Sequence, residues 1–385
     1  MRLWDGQTGR PLVILEGHTA AVEGVQVLAD GRIVSWSADK TLRLWDGHAG
    51  APLASLKGHI GGIRGAQILP NGRVLSWSDD GTLRIWDDRS GAPVAVLSGH
   101  KNGVHAVKTL ADGRLLSWSS PPSGRRYDNS LRLWDGQTGA PLATLEGHTS
   151  HIMGVEVLTD GRVLSWSNDN TLRLWDEQTG ALLAVLEGHT NDVNGAQVLA
   201  DGRLLSWSQD CTLRLWDGKT GAALAVLEGH TNDVNGAQVL ADGRLLSWSQ
   251  DCTLRLWDGK TGAALAVLEG HTNTVAGAQV LADGRFLSWS EDNTLRLWDG
   301  QTGAALRLFA SFENWALSKE SEEVDLSIVA SFAKVSADAL RHQAQRHSLQ
   351  PGYFARDARG DIAVFVAGRH LRCCRFIQAR GPAQS

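Results

Sequence analysis

Apolar residues in this chain fall in short runs, four to a unit, and the unit returns every 41 residues over most of its length. The unit beginning at Gly188 shows the pattern. Val193–Leu199 reads as a first strand, and Asp201-Gly202 is a tight-turn pair. Arg203–Ser208 reads as a second strand and Gln209–Cys211 as a turn. Thr212–Trp216 is the third strand, Asp217–Gly221 the third turn and Ala222–Leu227 the fourth strand. Runs this short between turn residues predict strands rather than helices. A fixed period of this length marks an array of identical supersecondary units. Four-stranded meanders repeated in this way close radially and leave only short edges. Units Gly188–Glu228 and Gly229–Glu269 are identical at every position, as after a recent internal duplication.

Two dipeptides fix the frame. Trp-Asp begins at Trp4, Trp45, Trp86, Trp134, Trp175, Trp216, Trp257 and Trp298, and Gly-His ends at His18, His59, His100, His148, His189, His230 and His271. The third unit alone is longer, by a seven-residue insertion within Ser120–Tyr127. With these spacings the chain resembles the WD40 repeat family over residues 1 to about 310. The resemblance implies an all-β WD40 β-propeller with seven complete four-stranded blades. It departs from the family in the second strand, where Trp36, Trp77, Trp118, Trp166, Trp207, Trp248 and Trp289 stand between two serines. Alternation points each away from its neighbours, toward packing between blades. A small residue follows each histidine by six positions (Gly24, Gly65, Ala106, Gly154, Gly195, Gly236, Gly277), as expected of a crowded inner strand.

Each unit also repeats a His, a Ser, an Asp and a Trp. The sets are His18, Ser35, Asp39, Trp45; His59, Ser76, Asp80, Trp86; His100, Ser117, Asp128, Trp134; and His148, Ser165, Asp169, Trp175. The last three are His189, Ser206, Asp210, Trp216; His230, Ser247, Asp251, Trp257; and His271, Ser288, Asp292, Trp298. Ser, His and Asp together suggest a hydrolase, yet catalysis needs one accessible nucleophile beside an oxyanion pocket. Seven copies without further machinery read as structural. The family resemblance implies a relay from Trp to Ser to His to Asp that ties the strands of a blade together.

The remaining sequence changes the picture little. A net charge of −5 gives no general attraction to nucleic acid or membranes. The exception is Arg341–Ser385, with eight arginines against two aspartates, read as a solvated basic tail. The four cysteines form no disulfide or metal-knuckle pattern, which points to a reducing, cytoplasmic setting. No transmembrane run, signal peptide, phosphate loop or metal cluster stands out, so no cofactor and no metal are expected. Residues 311–350 break the repeat, with helical spacing of apolar residues near 328–345. Residues 351–385 contain Asp361–Ala367 and His370–Ile377, read as a terminal hairpin. Met1–Asp5 and Pro11–Leu15 resemble the third and fourth strands of a further repeat. The favoured closure is a composite eighth blade from these ends; seven blades with a packed tail is the alternative. A start inside a repeat also suggests part of a larger protein.

Function must then lie in differences among the repeats. In the family, rim positions lie three and five residues after the His and just before the relay Asp. Most units carry plain residues there, such as Asp192, Asn194 and Gln209. Units two to four carry Arg64, Asp79, His105, His151 and Met153, and the insertion adds Arg125, Arg126 and Tyr127. Arg and Tyr are frequent interface anchors. These residues predict a non-catalytic scaffold, monomeric, for other proteins or acidic peptides. Exposed rim histidines with ordinary pKa values would strengthen such binding near pH 6. A sensor or regulatory propeller of a larger NTPase- or kinase-linked signalling protein is the second reading.

Overall fold

The computed structural model describes residues 1–5, 9–119, 128–309, 353–356 and 362–365. All elements among them are strands. Seven four-stranded sheets, here called blades one to seven, follow one another along the chain, at 22–57, 63–98, 104–145, 152–186, 193–227, 234–268 and 275–309. Strand order within each is sequence order, a simple meander. In blade one the strands are Val22–Val27 (inner), Ile33–Ser37, Thr41–Trp45 and Pro52–Lys57 (outer). Burial follows that order. The two middle strands carry the buried Ile33, Val34, Leu42, Leu44 and Trp45, whereas Leu53 of the outer strand is exposed. This is the β-propeller class of fold that the repeat implies.

The inner strand carries one irregularity in every blade where its pairing is defined. Val22 pairs with Ser37 and Gly24 with Trp36, so Glu23 is an extra residue, a β-bulge. The same shift places Arg64, His105, Met153, Asn235 and Ala276 at the bulge of blades two, three, four, six and seven.

The chain divides into two compact units. The first comprises Met1–Leu3, Leu12–Ser206 and Trp216–Ala223; the second comprises Trp4–Pro11, Trp207–Leu215 and Leu224–Ser385. In the first, apolar layers form between successive blades. Leu42, Leu44 and Leu56 of blade one meet Ile63, Val74 and Trp86 of blade two. Equivalent layers join blades two and three and blades three and four. In the second unit, Leu254, Leu256 and Leu268 of blade six meet Val275, Phe286 and Trp298 of blade seven.

The second-strand tryptophans sit in these layers, Trp36 against the blade one–two layer and Trp248 against the blade six–seven layer. They also account for the small residue six positions after each histidine. A Cβ added to Gly65 would lie 2.1 Å from Cζ2 of Trp77, its cross-strand partner, and the fit repeats at Gly24, Gly154, Gly236 and Gly277. The constraint is thus the neighbouring indole rather than crowding of the inner strand in general. Gly65→Ala is expected to cost about 1–3 kcal/mol through overpacking, read as a lower denaturation midpoint. An unchanged midpoint would show that the indole shifts aside freely.

A second contact joins blades through their turns. The Asp-Gly-Arg turn between the first two strands holds its arginine against its own aspartate, as Arg114 to Asp112 at 2.5 Å. The guanidinium then reaches the turn after Trp-Asp in the next blade. Arg114 donates to the Glu177 carbonyl at 2.7 Å and its carboxylate at 2.6 Å. Arg73 donates to Gln137 O at 2.9 Å, Arg162 to Gly218 O at 2.5 Å and, in the second unit, Arg244 to Gly300 O at 2.7 Å. Where the receiving turn has Asp88 or Glu177 instead of glycine, the acidic side chain also takes the arginine.

At the ends, Arg2–Trp4 and Pro11–Ile14 form one two-stranded sheet, and Tyr353–Arg356 and Ile362–Phe365 another. Met1, Leu3, Val13 and Leu15 cover Ile33 and Trp45 of blade one. The expected partner of Ile362–Phe365, residues 370–377, lies outside the described residues; on the edge that is described, the strand pairs antiparallel with Tyr353–Arg356. The helical segment expected near 328–345 also lies outside them. No helix of the described residues is long and apolar enough to cross a membrane.

Candidate functional site: blade relays and the bulge rim

The repeated polar residues come together in each blade. Indole Nε1 of Trp86 donates to Ser76 Oγ at 2.8 Å, Ser76 Oγ lies 2.8 Å from His59 Nε2, and His59 Nδ1 lies 2.9 Å from Asp80 Oδ2. The tetrads of Trp45, Trp134, Trp175, Trp257 and Trp298 repeat these distances to within about 0.2 Å. In blade five, His189 lies 2.7 Å from Ser206 Oγ and Trp216 donates to the same oxygen at 2.9 Å, while Asp210 accepts from Thr212.

The carboxylate has more partners than the four-residue pattern suggests. Asp80 also accepts from the backbone N–H of Ile60 and of Thr82 and from the Thr82 hydroxyl. Burial pushes its carboxyl up, but the bonds from His59, Thr82 and the two amides outweigh that and hold it well below the usual range. Burial pulls the imidazoles of His148, His230 and His271 down, against the opposing pull of their aspartates. In these three blades the pair is therefore neutral imidazole on carboxylate at neutral pH. Nδ1–H donates to Asp, and Nε2 accepts the serine proton. All seven relay serines are fully buried.

The rim residues behave less uniformly. Arg64 Nε donates to Asp79 Oδ1 at 2.6 Å, and both side chains are exposed. Gly103 packs on Asp79, because a Cβ there would lie 2.9 Å from its Cα. Met153 is exposed at its bulge. His105 and His151 are partly buried and meet edge to face, with ring centroids 5.7 Å apart and planes at 84°. Burial, then the charge of Arg64, lowers the His105 pKa; burial, then His105, takes His151 down to about 4. Neither ring is therefore the exposed, ordinary imidazole on which stronger binding of an acidic ligand near pH 6 was expected. Arg125, Arg126 and Tyr127 lie outside the described residues.

The comparisons agree with this arrangement. The family model for the WD domain, G-beta repeat, matches at 9–46, 50–87, 91–135, 139–176, 180–217, 221–258 and 262–299. The chain belongs to the WD40 family. Its structure is similar to the crystal structure of the computationally designed Ika8 protein, with 29% identity and a TM-score of 0.55 over 77% of this chain and 89% of that one. No curated protein matches it. WD40 repeats build an interaction-scaffold kind of fold.

One WD40 rim residue escaped the sequence reading. Ile60 follows its histidine directly and is 79% exposed. The six other units hold Thr19, Lys101, Thr149, Thr190, Thr231 or Thr272 there. Comparing the repeats two positions earlier, directly after the histidine, would have found it. The Ile60 amide is bonded to Asp80, beside Asp79, which places the isoleucine at the same turn as the Arg64 pair.

Proposed function

We propose that this WD40 chain is a non-catalytic scaffold that holds partner proteins on the rim of blades two to four. The observation that carries the reading is the bulge. β-Bulges re-aim side chains beside functional sites, and the bulge residue differs between repeats: Arg64, His105 and Met153 in blades two to four, against Glu23, Asn235 and Ala276 in blades one, six and seven. Exposed Ile60 and Met153 supply apolar contact, and Arg64 with Asp79 supplies a polar edge. Burial of every relay serine supports the non-catalytic part, since none is open to a substrate. Because Asp79 already engages Arg64, an acidic segment binds there by displacing it.

The test is affinity capture with the intact chain. A rim variant, Ile60→Thr, Arg64→Asn and Met153→Asn, borrows residues that other units carry at those positions. It should lose captured partners by tenfold or more, as hot-spot removal does. A control with Asn235→Ala and Ala276→Ser should retain them. Equal capture by both variants would place the site elsewhere.

A further inference from the structure

Seven of the ten described histidines are relay members; His48, which lies in an exposed turn, His105 and His151 are not. His105 and His151 differ. They occupy different repeat positions, the bulge in blade three and the residue before the inner strand in blade four. Other units place Glu23, Arg64, Met153, Asn194, Asn235 or Ala276 at the first, and Ala21, Gly62, Gly103, Asp192, Asp233 or Thr274 at the second. Among the described residues, only the junction of blades three and four brings two imidazoles together. Neither ring makes a hydrogen bond to a described side chain or backbone group, and Nε2 of His151 is buried without any partner. A buried ring nitrogen is costly unless something engages it.

We propose that His105 and His151 form a two-imidazole site for a divalent first-row transition ion, such as Zn²⁺ or Ni²⁺, with water in the remaining coordination positions. Imidazole suits these ions. Two rings bound to one metal at about 2.0–2.1 Å from their nitrogens have centroids roughly 5–6 Å apart. The observed 5.7 Å lies in that span. The in-plane lone pairs must converge on one point, and rotation about the broad χ2 torsion of histidine supplies this. Burial favours the neutral rings that ligation requires. The positive charge facing the pair is Arg64, and Asp79 offsets it at 2.6 Å. Among the described residues no third His, Cys, Asp or Glu joins the group, so the ion keeps open positions.

The site lies on the same rim as the proposed partner surface, but its test needs no partner. It is tested on the full chain by calorimetric titration with Zn²⁺ and, separately, Ni²⁺. The comparison is with His105→Asn and His151→Thr, single and combined, residues that other units hold at these positions and that the fold accommodates there. Thermal unfolding checks that each variant is folded. The expected result is one site present in the parent chain, weakened at least about tenfold by either single change and lost in the double variant. Identical stoichiometry and affinity in the parent and the double variant, or no binding to the parent, would overturn the proposal.

Discussion

Trp86→Ala is expected to destabilise the junction of blades one and two by about 3–5 kcal/mol, the range for removing a fully buried indole. Trp86 is 0% exposed and packs with Leu42, Leu44 and Leu56 of blade one. Its ring is also the donor to Ser76, so the change leaves a cavity and removes a buried hydrogen bond. Repeat arrays need not unfold in one step. Hydrogen exchange is therefore the better measurement, and protection should fall in 33–57 and 63–86 more than in blades four to seven. Trp86→Phe should recover part of the loss by refilling the cavity while leaving the serine without its donor. A loss of protection spread evenly over all blades would show that the layer between blades one and two is not a local unit.

Asp80→Ala should cost about 1–3 kcal/mol, because it strands a buried histidine and two backbone amides. The carboxylate receives four bonds, at 2.9 Å from His59, 2.9 Å from Ile60 N, and 2.9 and 2.7 Å from Thr82. The same groups make the fold acid-sensitive, and the sign can be worked out. Asp80 is held below its unfolded pKa of about 3.9. Its contribution is therefore complete above that value and is lost as pH falls through the lower folded one. His148, His230 and His271 are also lowered, so the unfolded chain takes up their protons first, from about pH 6.5 downward. Stability should be level above pH 7, decline below about 6.5 and fall again below about 4. Denaturation midpoints measured from pH 8 to 3 check this. A midpoint that rises on acidification would mean that the relay histidines are protonated in the fold.

Much of this was legible in the chain itself, for a physical reason. Residues that must meet across adjacent strands of one blade keep fixed separations, so His59, Ser76, Asp80 and Trp86 could be grouped by counting alone. What could not be counted was contact between different repeat positions in different blades. His105 and His151 meet only because a bulge turns one and a loop presents the other. Their pairing, and the burial that favours their neutral form, was invisible in the spacing. Arg64 and Asp79 were both singled out, but as separate anchors. The pairing of Ile63 with Ser78 brings them together, so the arginine that was to attract an acidic ligand is already engaged. The glycines after each histidine were located correctly but explained by general crowding, because the cross-strand register that lays Trp77 over Gly65 is not a linear feature.

The arginine clasp between turns gives the repeat a polarity. Arg114 points forward from its blade, and the carbonyl it seeks lies in the blade that follows, never in the one before. Such a joint is head-to-tail, like a heterologous subunit contact, and both of its halves are written into each copy of the repeat. A whole copy spliced in or out at any boundary therefore meets a ready-made socket on each side. The identical stretches Gly188–Glu228 and Gly229–Glu269 are what a duplication looks like before its two products diverge. Gain or loss of a whole copy keeps each arginine facing its turn, while a change of a few residues in phase would leave one facing the wrong turn.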